Sequence, residues 1–235
     1  MLFYEATDVG RVRSTNEDCG AVLDENTCIV ADGMGGHAAG EVASRVLVEE
    51  VRKCLAGVPV EEVNEESLKD ALHKGNHVIL EMAKEHSEYE GMGTTATILH
   101  STTDRAVWAH VGDSRIYLYR RGAFKQMTKD HSYVESLVER GTITQEEARR
   151  HPRKNVLLRA VGVEENIDVD TGSFDLQQGD KLLLCTDGLT NMISDREIAE
   201  ILLEKEGDPA RKLMERALAA GGTDNVTAIV AVYDG

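Results

Sequence analysis

Between Thr94 and Thr128 the chain changes its rhythm, and that change limits the folds open to it. Four short runs, 94–101, 105–111, 115–120 and 124–128, are rich in β-formers. Turns at Thr103-Asp104, Gly112-Asp113-Ser114 and Arg121-Gly122 separate them. Connections this short join antiparallel neighbours, so the segment reads as a meander. The stretch before it has the helical period instead. Val42, Ala43, Val46, Leu47, Val51 and Leu55 form an apolar stripe that predicts a helix over 40–55, ended by Gly57 and Pro59. Leu68, Leu72, Ile79, Met82 and Ala83 predict a second over 67–86, closed by Gly91-Met92-Gly93.

The remaining predicted strands are 3–8, 20–24, 27–31, 167–174, 181–186 and 226–233. Helices are predicted over 194–203 and from Pro209 to Gly221-Gly222, the first with a capping box at Ser194 and Glu197. Residues 132–151 turn helical with a capping box at Thr144 and Glu147. They are charged and read as an insertion lying over a surface. Helices and strands come in blocks rather than strict alternation. The fold class is therefore α+β, with helices covering the outer faces of antiparallel sheets.

The chain has 235 residues, enough for one sizeable core, and a net charge of −16. That balance argues against a nucleic-acid partner, which needs a basic face, and suits divalent cations. The four cysteines, Cys19, Cys28, Cys54 and Cys185, form no C-x-x-C pair and read as thiols in a reducing compartment. No run is long enough to span a membrane, and the N-terminus lacks a secretory pattern, so a cytoplasmic location is expected.

Four acidic positions share one design. Asp32-Gly33 follows CIVA, Asp113 follows AHVG, Asp187-Gly188 follows LLLCT, and Asp224-Asn225 precedes VTAIVAV. A lone carboxylate at a strand end, beside a small or turn-forming residue, is fixed by the strand and open to an ion. If the strands belong to packed sheets, their ends can converge on one rim. Such an all-oxygen set suits Mg²⁺ or Mn²⁺, and no zinc-like His/Cys spacing competes. Two ions about 4 Å apart are the usual device for metal-dependent phosphoester hydrolysis. Arg13, in RVRSTNED, is the best candidate for a phosphate fork, and Glu17 and Asp18 could meet a metal or its waters. Ser114 lacks a G-x-S-x-G setting. It reads as a turn residue, and Trp108, Tyr117 and Tyr119 as packing.

The motifs RVRSTNED, VADGMGGHAAGEVAS, GTTATI, HVGDSRIYLYR, TKDHSYVESLVERG, HPRKNVLLRAVG, LLLCTDGLT and GGTDNVTAIV occur in this order. Together they resemble the metal-dependent protein serine/threonine phosphatases, the PPM or type 2C family, in their bacterial form. The resemblance covers nearly the whole chain as one catalytic domain, 1–235. It implies a β-sandwich of two antiparallel sheets flanked by helices, with a dinuclear Mn/Mg site at one end. Asp32 would bridge both ions, with Gly33 giving its carbonyl. Asp187 and Asp224 would complete the first, and Asp18 or Glu17 would serve the second. Asp113, with Asp187, matches a third and weaker site. Arg13 would bind the substrate phosphate, and a flap, about 129–160, would influence substrate choice.

The implied activity is removal of phosphate from phosphoserine or phosphothreonine in proteins by a dimetal-activated water. The enzyme would be a monomer opposing a eukaryotic-type Ser/Thr kinase. A dedicated phosphatase of one anti-anti-sigma-type regulator and a catalytically silent binding module are the alternatives. One departure concerns the proton donor. Animal members carry a His directly after Asp-Gly, whereas here Met34 holds that place and His37 follows three residues later. A catalytic role for His37 and a role capping the next helix are both open.

Overall fold

Successive side chains along a strand point to opposite faces, and the central strands here are apolar on both. The computed structural model describes residues 1–35, 39–204 and 206–234. One sheet runs in the order β1 (Leu2–Asp8), β11 (Val226–Val232), β10 (Lys181–Cys185), β7 (Arg115–Arg120) and β8 (Ala123–Gln126). The other runs β2 (Asp18–Val22), β3 (Thr27–Met34), β5 (Ala96–Ser101), β6 (Arg105–Val111) and β9 (Asp170–Asp175), with β4 (Gly93–Thr94) paired to the end of β3. All these pairings are antiparallel.

The period of two sorts the core into three layers. Cys28 and Val30 of β3, Leu182 and Leu184 of β10, and Ile229 and Ala231 of β11 pack between the sheets. Ile29 and Ala31 face the other way, onto α1 (Ala39–Leu55) and α2 (Glu65–Glu85) through Leu47, Leu68 and Leu72. Leu183, Cys185 and Val230 face α5 (Asp187–Thr190), α6 (Asp195–Leu203) and α7 (Pro209–Ala219) through Leu189, Ile198 and Leu213. Each fully buried aliphatic side chain contributes about 1.5–3 kcal/mol, so one strand stabilises two layers at once. The result is the expected α+β sandwich, helix on sheet on sheet on helix.

Both capping boxes form, at Ser194/Glu197 and at Thr144/Glu147. The segment after β8 folds as α3 (Tyr133–Glu139) and α4 (Gln145–Arg149), whose buried residues are Val134 and Ala148. Its two ends meet: Tyr133 N–H donates to Val156 O at 2.8 Å, and Leu158 N–H donates to His131 O at 2.8 Å. This flap is a closed loop with helical content and little core of its own.

Several boundaries differ from the sequence expectation, among them the run 94–101, which is split into β4 and β5. β3 does not stop before Asp32-Gly33 but runs to Met34, because β4 pairs there, Gly33 opposite Thr94 and Met34 opposite Gly93. β2 lies at 18–22 rather than 20–24, because its ladder with β3 reaches as far as Asp32. α2 starts at Glu65 because the Asn64 side chain accepts from the Glu66 and Ser67 N–H groups and Ser67 returns a bond. β9 starts at Asp170, opposite His110, where the β6 ladder ends. α5 has no periodic signal in four residues and escapes sequence reading.

Candidate metal centre

The registers bring one end of each sheet to a common rim. Asp18 sits opposite Asp32 at the end of the β2–β3 ladder, and Asp8 opposite Val226 where β11 begins. Ala96 faces Val111 where β6 ends, and Arg115 faces Cys185 where β10 ends. Asp32 and Asp18 therefore come from one sheet, and Asp187 and Asp224 from the flanks of β10 and β11 in the other. Asp113 lies on the connection between them.

Cross-sheet hydrogen bonds fix this meeting. Thr186 Oγ1 donates to Asp18 Oδ2 at 2.8 Å. Glu17 N–H donates to Asn225 Oδ1 at 2.8 Å, and Asn225 Nδ2 donates to Val9 O and Thr15 O, each at 2.9 Å. Asp32 is held by its backbone: its N–H donates to Thr95 Oγ1 at 2.9 Å, and its carbonyl accepts from Thr95 N–H at 2.9 Å and Thr94 Oγ1 at 3.0 Å. That leaves the Asp32 carboxylate free of backbone duty. Asn191 Nδ2 donates to Asp187 Oδ2 at 2.9 Å.

The electrostatics are those of crowded carboxylates. Burial, reinforced by Asp187 and Asp224, pushes Asp18 up to about 7. Burial and then the charge of Asp224 push Asp187 up to about 6. Asp32 is raised well above the usual carboxylate range by burial and by Asp18 and Asp187, and Asp113 by burial and Asp187. Burial also raises Glu17. A cation at the rim is Arg13, which forks onto Asp224: Nε lies 2.9 Å from Oδ1 and Nη2 donates to Oδ2 at 3.0 Å. Its Nη1 stands 4.0 Å from Glu17 Oε2.

Two observations test whether these residues fit divalent ions. Among the described residues, Glu17 Oε1 and Asp18 Oδ1 are buried with no hydrogen-bond partner, an expensive condition unless a cation completes them. Gly40 is the second. A methyl on it would lie 2.6 Å from Glu17 Oε1 and 2.9 Å from the Gly33 carbonyl oxygen, so both oxygens converge on a bare Cα. The donor set is all oxygen, as Mg²⁺ and Mn²⁺ prefer. Among the described residues, no three His, Cys, Asp or Glu side chains enclose a point by themselves. Main-chain oxygen and water would complete the carboxylate set. The residues fit the ions.

Of the sequence candidates, Glu17, Asp18, Asp32 and Gly33 meet in the contacts above; Asp187 and Asp224 adjoin Thr186 and Asn225, which bond to Asp18 and Glu17, and Arg13 joins through Asp224. Asp113 borders the same rim on the flap side. It shares with Asp187, Asn191 and Lys154 a cleft of about 450 Å³ that reaches α3 and α4. His37 lies outside the described residues. Sequence reading missed Asn225, Thr186 and Asn191 as organisers of the rim. The only signal was their place beside an aspartate at a strand end or on the next helical turn.

A sandwich of this order with an acidic rim defines a class of metal-dependent hydrolases. The chain matches the Protein phosphatase 2C family over residues 12–232 and belongs to that family. It is 42% identical over 238 residues to the serine/threonine phosphatase stp of Listeria monocytogenes, covering 97% of this chain and 94% of that protein. The crystal structure of the Mycobacterium tuberculosis serine/threonine phosphatase PstP/Ppp superposes with a TM-score of 0.94 at 37% identity, covering 100% of this chain and 99% of that one. The catalytic domain of PstP in complex with 2 manganese ions superposes with a TM-score of 0.92 at 36% identity, covering 100% and 98%.

Proposed function

We propose that the chain is a metal-dependent protein phosphatase acting on phosphoserine and phosphothreonine at the rim where the two sheets meet. The observation that carries this reading is the pair of buried oxygens without a partner among the described residues, Glu17 Oε1 and Asp18 Oδ1, inside a ring of mutually raised carboxylates. Asp32 with the Gly33 carbonyl would lie between two Mn²⁺ or Mg²⁺ ions. Asp187 and Asp224 would complete the first, and Asp18 or Glu17 the second. Asp113 with Asp187 would hold a third and weaker ion. When bound, the ions supply Lewis-acid charge and lower the pKa of water.

The chain's own part is to bind and orient. Arg13 is the fork-shaped cation at the mouth, half exposed on one side and bonded to Asp224 on the other. It would hold the phosphoryl oxygens in line with the rim. No described side chain at the rim is set up as a nucleophile. Ser114 Oγ is buried against Thr95 Oγ1 at 2.8 Å, and burial raises the thiols of Cys28 and Cys185 far from reactivity. Direct hydrolysis without a phosphoenzyme is the consistent route.

The substrates are phosphoproteins, which a Ser/Thr kinase must supply. Residues 1–235 would act as one catalytic unit, monomeric and cytoplasmic. Among the described residues no helix is long and apolar enough to cross a membrane. The test is turnover of p-nitrophenyl phosphate and of a phosphothreonine peptide with Mn²⁺, abolished by chelation. A folded protein that binds Mn²⁺ and turns over neither would be a binding module instead.

A further inference from the structure

The loop that carries Asp113 is gripped from outside the rim. Gly112 precedes it at φ +112°, and a methyl there would lie 2.6 Å from Thr95 Cβ, so its backbone sits hard against the sheet. On its other side is His131, at the base of the flap. His131 N–H donates to Gly112 O at 2.7 Å, and Gly112 N–H donates to His131 Nδ1 at 3.1 Å. The second bond settles the tautomer. Nδ1 must be bare, so the ring proton sits on Nε2, 3.1 Å from Asp170 Oδ2. Arg159 Nη1, 3.3 Å from Nε2, donates to Asp170 Oδ1 at 2.9 Å.

The ring is 7% exposed and packs 4.8 Å, centroid to centroid, from His110. His110 is itself anchored to Thr97 Oγ1 at 2.9 Å and Lys129 O at 3.1 Å. One residue, through its backbone and its ring, thus joins the flap entrance, the flap exit at Leu158-Arg159, the start of β9 and the Gly112-Asp113 loop. The chemistry of the rim leaves it unused.

We propose that His131 is a positioning residue: its Nδ1 holds the Gly112 peptide so that Asp113 faces Asp187, and it ties that placement to the closed base of the flap. This rests on the place of Asp113 among the ion-holding residues. The logic is that of the outer partners of metal ligands, whose loss typically lowers metal affinity or activity by about 10- to 100-fold.

Two partial replacements separate the ends of the ring. His131→Asn sets an amide oxygen near Nδ1 and keeps the acceptor for Gly112. His131→Gln sets an amide nitrogen near Nε2 and keeps the donor for Asp170. With p-nitrophenyl phosphate, His131→Gln and His131→Ala are expected to raise the Mn²⁺ concentration for half-maximal rate about tenfold with little change in KM, and His131→Asn to stay within about threefold of wild type. Calorimetric titration of Mn²⁺ into the protein without substrate should weaken in the same order. The Gly112 amide should exchange slowly in the wild type and quickly in His131→Gln.

Asp113→Asn is the reference and must itself raise the Mn²⁺ requirement. If it behaves as wild type, the assignment of Asp113 falls and His131 with it. If Asp113→Asn is impaired while His131→Gln is not, or if His131→Asn is no better than His131→Gln, the positioning role is overturned and Asp113 stands. Should His131→Ala fail to fold, the Asn/Gln contrast and the Gly112 exchange still decide.

Discussion

Asp18 stands directly opposite Asp32 in the β2–β3 ladder, so two carboxylates project from the same face of one sheet. Like charges so placed destabilise a sheet by up to about 1 kcal/mol. Asp18→Asn should therefore make the chelated protein more stable near neutral pH by about that amount, and should shrink the stabilisation that Mn²⁺ confers. Denaturant unfolding with chelator and with Mn²⁺ measures both. Asp32→Asn should fold normally yet lose more than about 100-fold in kcat, since a held ion rather than packing is removed. Near-wild-type turnover in a folded Asp32→Asn protein would refute its role.

The raised carboxyls set a pH window for the metal-free protein. Asp18 at about 7 and Asp187 at about 6 both lie above the ordinary 3.8. A carboxyl raised on folding contributes its full stability below about pH 4 and loses it as pH climbs through 6 to 7. Chelated protein should thus lose this contribution between about pH 5 and about pH 8, and Mn²⁺ should raise the melting temperature more at the upper value. Scanning calorimetry with and without metal at both values is the check. A metal increment that is equal or larger at the acid end would contradict the picture.

Glycine is required at two facing positions for different reasons. A methyl on Gly33 would meet backbone, Gly40 O at 2.1 Å and Glu17 O at 2.6 Å, so Gly33→Ala should cost about 1–3 kcal/mol in unfolding free energy. A methyl on Gly40 meets Glu17 Oε1 and the Gly33 carbonyl group instead. Alanine suits a helix better than glycine by about 1 kcal/mol, so Gly40→Ala should stay folded while its calorimetric Mn²⁺ affinity drops. Unchanged Mn²⁺ affinity in Gly40→Ala would show that those oxygens do not hold an ion.

Arg13 is exposed enough that its pair with Asp224 should matter little for folding. Arg13→Ala should change stability by less than about 1 kcal/mol. A charged hydrogen bond to phosphate is worth about 1.5–3 kcal/mol, so kcat/KM for a phosphopeptide should fall about 10- to 100-fold. Arg13→Lys should recover part of it. The contrasting case is Asp180, 1% exposed, which accepts from Arg120 Nε at 2.8 Å and Nη2 at 2.6 Å. Asp180→Ala removes a buried acceptor from Arg120, which keeps Asp175 O, and from the Gln177 N–H, and should cost about 1–3 kcal/mol while leaving kcat of the surviving folded enzyme intact. Urea titration beside steady-state kinetics separates these two outcomes.

Local patterns in the chain were enough to specify the layers and most elements. The stripe along 40–55, the short turns of the meander and the two capping boxes depend on neighbours a few residues apart, and such physics can be read in one dimension. The motif order likewise marked Asp32, Asp187 and Asp224 before any geometry was known. Ladder register and cross-sheet contact were not legible. That β3 runs on past Asp32, that Asn225 ties Glu17 to the opposite sheet, and that His131 holds the Gly112 peptide all join residues far apart in the chain. The polypeptide alone thus offered the acidic groups as candidates for ions. Only tertiary packing decided that they share one rim, because distances between strand ends are set by the layers of side chains between them and not by spacing along the backbone.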